Sequence, residues 1–268
     1  MKIGIYQFTP VKGRIETNLK KISRVLARSQ SDLWILPELC TTGYVFSGLD
    51  EVRALAEDAR NGATAEVLCA LTRQHQTALI LGMAEKSGGQ VFNSAVVFDR
   101  GEWRGVYRKV HLFYEEKKWF SPGMDAPPVI EIQGVKVGVM ICFDWLFPEM
   151  ARSLALRSAQ IIAHPANLVL PYCQDAMLTR SLENRVFTAT ANRIGHESLN
   201  AEMSLTFTGQ SQITAPNGKR LGQLSAERAG ILLRTIDPAQ ALDKKFSPLN
   251  DIFQDRRPEI YRTADSRE

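Results

Sequence analysis

The sequence contains no Cys-x-x-Cys pair. Its four cysteines, Cys40, Cys69, Cys142 and Cys173, are scattered along 268 residues, and the four histidines, His75, His111, His164 and His196, are equally dispersed. A disulfide scaffold or a zinc site needs clustered ligands, so neither is expected, and no metal site is assigned. No apolar run approaches the roughly 20 residues of a membrane span. Residues 1–8 lack the apolar core and small-residue cleavage site of a signal peptide. The expected location is the cytoplasm, without a membrane partner. Charge of one sign is nowhere concentrated: 33 basic and 29 acidic residues give a net charge of +4. That spread gives nucleic-acid binding no footing. Lys20, Lys21, Arg24 and Arg28 read as the solvated face of a helix. Linkers, repeats and low-complexity segments are also missing.

What remains is a steady alternation of strand and helix patterns. Residues 2–8 alternate like a strand, and residues 14–29 read as a helix, with Ile15, Leu19, Ile22 and Leu26 at helical spacing. A short buried strand over 33–37 closes at Pro37. Helices are predicted over 49–60 and 64–76, the second capped by Thr64, then a strand over 77–85. Strands 91–99 and 103–110 flank a turn at Gly101. Strands 129–132 and 135–141 pair across Gln133 and Gly134, and 209–215 pairs with 219–224 across Asn217 and Gly218, a strong hairpin signal. Helices over 148–158 and 175–193 enclose a strand over 160–164, and the last strand covers 230–236. Residues 237–268 read as a polar, irregular tail on the surface. This mixture predicts one α/β domain over residues 1–268, with two mixed sheets packed together and helices outside.

Polar residues that end apolar strands are where α/β proteins tend to place active sites. Three such positions stand out: Glu38 after Leu36 and Pro37, Lys109 at the end of the 103–110 strand, and Cys142 after the apolar run from Val135 to Ile141. Taken singly, each has a plainer reading, as a turn residue, a solvated lysine and a small buried hydrophobe. Together they make a chemical set. A thiol beside a lone carboxylate is harder to ionise. A nearby ammonium offsets that charge, so the carboxylate can act as base while the sulfur attacks. No histidine is needed. His111, two residues from Lys109, is expected to act structurally. Asp144 reads as a local cap. Cys40 and Cys69 read as packing residues, and Cys173 as a loop residue. Tyr44, Phe46, Tyr114 and Trp145 are candidate pocket aromatics, and Asn167, just past a strand end, is a further candidate contact.

Leu36–Leu39, Tyr107–Leu112 and Met140–Asp144 resemble, in order and spacing, the Glu, Lys and Cys motifs of the nitrilase superfamily of carbon–nitrogen hydrolases. Supporting matches are Glu115–Gly123, Phe147–Glu149, Glu183–Arg185, Gly209–Ser211 with Pro216–Gly218, and Arg256–Glu259. The resemblance implies a four-layer αββα sandwich and a cysteine hydrolase without cofactor. It implies Glu38 as general base, Cys142 as nucleophile, and Lys109 with the backbone N–H of Phe143 as oxyanion donors. Glu116 is then the residue that positions substrate or assists proton transfer. Tyr44, Tyr114, Trp145 and Asn167 become the expected substrate contacts. The expected reaction is amide hydrolysis on small aliphatic or ω-amides. Nitrile hydrolysis and N-carbamoyl-amine hydrolysis use the same residues. A catalytically silent scaffold or a thiol redox sensor is a reading of a different class. The first would be expected to have lost part of the catalytic set, and the second needs a resolving cysteine nearby. At least a homodimer is also implied, with the 237–268 tail as a contact surface.

Overall fold

The computed structural model describes residues 1–200 and 203–261. Its first strand, β1 (Lys2–Gln7), turns Ile3 and Ile5 toward a core between two sheets, while Tyr6 and then Phe8 face outward. That period of two is what a strand covered on both faces requires. Helix α1 (Ile15–Arg28) lays Leu19, Ile22, Val25 and Leu26 on the outer face. There follow β2 (Leu33–Ile35), α2 (Leu49–Leu55), α3 (Ala63–His75), β3 (Ala78–Ser87), β4 (Gln90–Asp99), β5 (Glu102–Arg108) and the short α4 (Glu116–Trp119). The second half comprises β6 (Val129–Ile132), β7 (Val135–Val139), α5 (Pro148–Leu156), β8 (Ile161–Pro165), α6 (Cys173–Asn184) and β9 (Phe187–Ala191). A separate hairpin of β10 (Ile194–Ser198) and β11 (Ser204–Thr208) precedes β12 (Gln212–Thr214), β13 (Arg220–Gln223) and β14 (Gly230–Thr235). A small pair, β15 (Lys245–Ser247) and β16 (Asn250–Asp251), lies in the tail.

Two six-stranded mixed sheets result, ordered β14-β1-β2-β3-β4-β5 and β13-β12-β9-β8-β7-β6. In each, three consecutive strands run parallel, β1-β2-β3 in one and β7-β8-β9 in the other. Leu33, Ile35, Ile80 and Val97 of the first sheet share one buried cluster with Val137, Val139, Ile161 and Ala189 of the second. Each large aliphatic side chain so buried contributes about 2 kcal/mol. Helices α1 and α3 cover the outside of the first sheet, and α5 and α6 cover the second, giving four layers in the order αββα.

Several boundaries differ from the sequence expectation. The helix expected over 49–60 stops at Leu55, because the Asp58 carboxylate takes the N–H groups of Arg60 and Asn61 and Glu57 bridges to Glu85. Thr64 is not the cap of α3. Gly62 holds that position, and the Glu57 carboxylate accepts from the Thr64 N–H and hydroxyl. The helix expected over 175–193 ends at Asn184, where Arg185 turns left-handed (φ 48°). The β-branched run that follows makes β9, buried between β8 and β12. Cys173 opens α6 and is fully buried instead of lying in a loop. The tail carries a helical turn and a strand pair instead of being irregular, and its residues 262–268 lie outside the described residues.

Candidate active site

Glu38 leaves the first sheet just after β2 and is fully buried. Its backbone lies against Gly82 of β3. A Cβ there would come within 2.4 Å of the Glu38 Cα, so only glycine permits this approach. The carboxylate Oε1 accepts from Asn93 Nδ2 at 2.7 Å and from Lys109 Nζ at 2.6 Å. Its Oε2 is buried and has no hydrogen-bond partner among the described residues. A buried carboxylate oxygen left unsatisfied is costly unless something else engages it.

Lys109 comes one residue after β5, not within it as expected, and is likewise fully buried. Its N–H donates to Asn93 O and its carbonyl accepts from Gly123 N–H, both at 2.8 Å. The ammonium bridges Glu38 and Glu116, whose Oε1 it reaches at 2.8 Å. Burial works against the charged lysine, but the two carboxylates win and hold its pKa above the ordinary lysine range. Glu116 opens α4. It also accepts from Tyr44 OH at 2.5 Å and from the Phe113 N–H at 3.2 Å. Burial raises its pKa despite Lys109, with Glu38 adding to the rise. The ammonium has three N–H donors, so one remains after the two carboxylates are bonded.

Cys142 belongs to the second sheet's side of the site. Strand β7 ends at Val139, earlier than the expected 141, and Cys142 starts a tight helical turn, Cys142–Leu146. Its φ of 40° is left-handed, a conformation that costs a non-glycine residue about 1–2 kcal/mol. Two contacts hold the turn. His164 Nε2 lies 2.9 Å from the Cys142 carbonyl and its Nδ1 lies 3.1 Å from the Thr190 hydroxyl. A carbonyl can only accept, so Nε2 carries the proton. Burial pushes the His164 pKa down to about 4, leaving the ring neutral near pH 7. Asp144 accepts from the Ile141 N–H and from Tyr107 OH, both at 2.8 Å, and pairs with His111 Nδ1 at 2.8 Å. Tyr107 lies on β5, so this carboxylate ties the Cys142 turn to the opposite sheet.

The thiol's pKa is raised well above the usual range, first by burial and then by Glu38 and Glu116. Lys109 and the backbone N–H of Asn167 pull it the other way. A standing thiolate is therefore disfavoured. Phe143 is the second residue of the turn, among the N–H groups that a helical start leaves without an intrahelical acceptor.

A shallow hollow opens over Cys142, walled by Phe113, Phe143, Trp145, Leu168 and Leu170. Asn167 lines it too, is 2% exposed, and neither its side-chain oxygen nor its nitrogen has a partner among the described residues. A neighbouring hollow shares Phe113 and is lined by Tyr44, Phe46, Tyr114 and Glu116. Thus Glu38, Lys109, Glu116, Tyr44 and Cys142 come together, with Trp145, Asn167 and Phe143 around the sulfur. Tyr114 stands at the outer edge, 67% exposed. Sequence reasoning passed over Asn93, His164, Tyr107 and the pair Arg193 and Glu197. Each is a polar residue inside or beside an apolar strand, and a buried polar residue needs a partner.

The sequence profile of the carbon–nitrogen hydrolase family matches residues 2–244. A protein of Pyrococcus abyssi named nitrilase is 41% identical over 264 residues, covering 97% of this chain and 99% of its own. An (R)-stereoselective amidase of a Pseudomonas species is 30% identical, over 94% of this chain and 91% of its own. Among solved structures, an amidase of the nitrilase superfamily from Nesterenkonia superposes with a TM-score of 0.80 at 29% identity, over 97% of this chain and 95% of that one. Structures of variants of that amidase carry acrylamide on the active-site cysteine or bound butyramide. Placed beside the αββα architecture, these matches show that the chain belongs to the carbon–nitrogen hydrolases of the nitrilase superfamily.

Proposed function

We propose that the protein is an amidase that releases ammonia from small aliphatic or ω-amides through a thioester on Cys142. The observation that carries this reading is the unpartnered Glu38 Oε2 in a buried cluster whose charges all act on the Cys142 thiol. Sulfur attacks the amide carbon while Glu38 Oε2 takes its proton. The carbonyl oxygen becomes an oxyanion, held by the third N–H of Lys109 and by the Phe143 N–H. Collapse expels ammonia, with the proton returned by Glu38, and leaves the thioester. Water, deprotonated by Glu38, then attacks the thioester, and the thiol and a carboxylic acid are released. Glu116 holds Lys109 and the nearby substrate edge. Asn167, with both amide atoms free, offers a donor and an acceptor to the substrate's polar end, between Trp145, Tyr44 and the outer Tyr114. Tail residues Phe246 and Leu249, 65% and 91% exposed, suit burial in a homodimer.

Ammonia release should be measured across short amides, ω-amides, carbamoyl amines and aliphatic nitriles, with Cys142→Ala as control. We expect turnover of short amides that disappears in the variant while its thermal midpoint stays high. Full amide and nitrile turnover by Cys142→Ala would refute the mechanism. The nitrilase reading is favoured by the names of the Pyrococcus relative and of a probable nitrilase of Schizosaccharomyces pombe, 33% identical over 97% of this chain. It predicts that nitriles outpace the matching amides in the same screen.

A further inference from the structure

We infer that Glu197, backed by Arg193, is a positioning residue for the catalytic cluster, acting through Tyr44. Neither residue touches the hollow over Cys142. Arg193 is fully buried just after β9, and Glu197, 7% exposed, lies on β10 in the hairpin outside both large sheets. The two side chains form an ion pair. Such a pair, taken out of water, needs further hydrogen bonds to be tolerated. Glu197 finds them in the loop after Glu38: its Oε2 accepts from the backbone N–H groups of Tyr44 and Val45, each at 2.8 Å. Gly43 makes the approach possible. A Cβ there would come within 3.1 Å of Glu197 Oε1, at a left-handed φ of 88°. Phe207 of β11 completes the mount, with the Arg193 guanidinium 4.0 Å from its ring centre and the Tyr44 ring edge-on at 5.9 Å.

Tyr44 passes this constraint onward. Its hydroxyl donates to the same Glu116 oxygen that Lys109 bonds, so the placement of one phenol fixes how Glu116 shares the ammonium with Glu38. The hairpin thereby sets, from outside, the direction of Lys109's remaining N–H. This inference rests on the hydrolase reading above. Glu197 acts on the rate through Tyr44 OH, and that makes it separable from a merely structural role.

The test is a double-mutant cycle of Tyr44→Phe and Glu197→Gln, reading kcat and KM for the best amide of the screen. Glu197→Gln should lower kcat at least about tenfold with KM changed less than about threefold. In the Tyr44→Phe background the same substitution should lower kcat by less than about twofold. An equal loss in both backgrounds, or a wild-type kcat in Glu197→Gln, overturns the inference while leaving the hydrolase reading intact. A wild-type protein inactive on every carbon–nitrogen substrate instead removes the reading on which it rests. Should Glu197→Gln not fold, Glu197→Asp keeps a charge for Arg193 but is one methylene short of the loop. It is then carried through the same cycle with the same criteria.

Discussion

Replacing Lys109 by Met would leave Glu38 and Glu116 buried beside each other without the cation that both now bond. Removing one partner of a buried ion pair costs about 3–5 kcal/mol. For a chain of this size that lowers the thermal midpoint by roughly 10 °C. The pH dependence carries a sign. Burial already lifts the Glu116 pKa, and the loss of Lys109 removes the main influence that opposes the rise. A carboxyl whose folded pKa lies above its unfolded value of about 4.3 stabilises the fold at low pH, and the stability is lost as pH rises through the folded value. Lys109→Met should therefore regain stability relative to the wild type as pH falls from 7 to 5. Adding Glu38→Gln removes one of the two charges and should restore several degrees at pH 7. On the proposed mechanism the rate should fall at least about a hundredfold in either variant, through loss of the oxyanion donor assigned to Lys109. Thermal melts between pH 5 and 8, alongside ammonia release, check both. A variant with the wild-type melting profile, or with activity within tenfold, would refute the reasoning.

Two further outcomes follow from other groups. Thiolate absorbance near 240 nm, compared between wild type and Cys142→Ala, should show no ionisation of Cys142 below pH 9, since burial and then Glu38 raise its pKa. A titration step below pH 7 would mean a preformed thiolate and no need for Glu38 as base. His164 is held down to about 4 by burial, below its unfolded value near 6.5, so its contribution is present above that value and lost as pH falls toward 4. Urea unfolding should show the wild type losing up to about 3 kcal/mol across that window. His164→Gln should flatten the slope, and an unchanged slope would exclude His164 as its source.

Much of the architecture was legible because its cause is local. Ile3, Ile5, Leu33 and Ile35 announce buried strands by their own pattern, and Asn217 with Gly218 marks a turn by backbone preference. Family motifs around Glu38, Lys109 and Cys142 were likewise readable, and the structure brings those residues together. What escaped has non-local causes. Helix α2 stops where Glu57 takes the Thr64 N–H and bridges to Glu85 on β3. Phe187–Ala191 pairs with strands far away in sequence, so its helix-like neighbours misled the expectation. The left-handed turn at Cys142 depends on His164 and Asp144 gripping it, and Asn93 matters only because Glu38 is folded against it.

The site is divided between layers: Glu38 and Lys109 follow strands of one sheet, and Cys142 follows a strand of the other. The gap between the Glu38 carboxylate and the Cys142 sulfur is therefore set by the thickness of the apolar filling between the sheets. Packed sheets hold that spacing near 10 Å only while their side chains interdigitate. Catalysis is then a gauge of the interior. On the proposed mechanism, any change that swells the middle layer, even one made far from the hollow, should separate Glu38 from the sulfur before it melts a strand, so that turnover fades while the protein still looks folded.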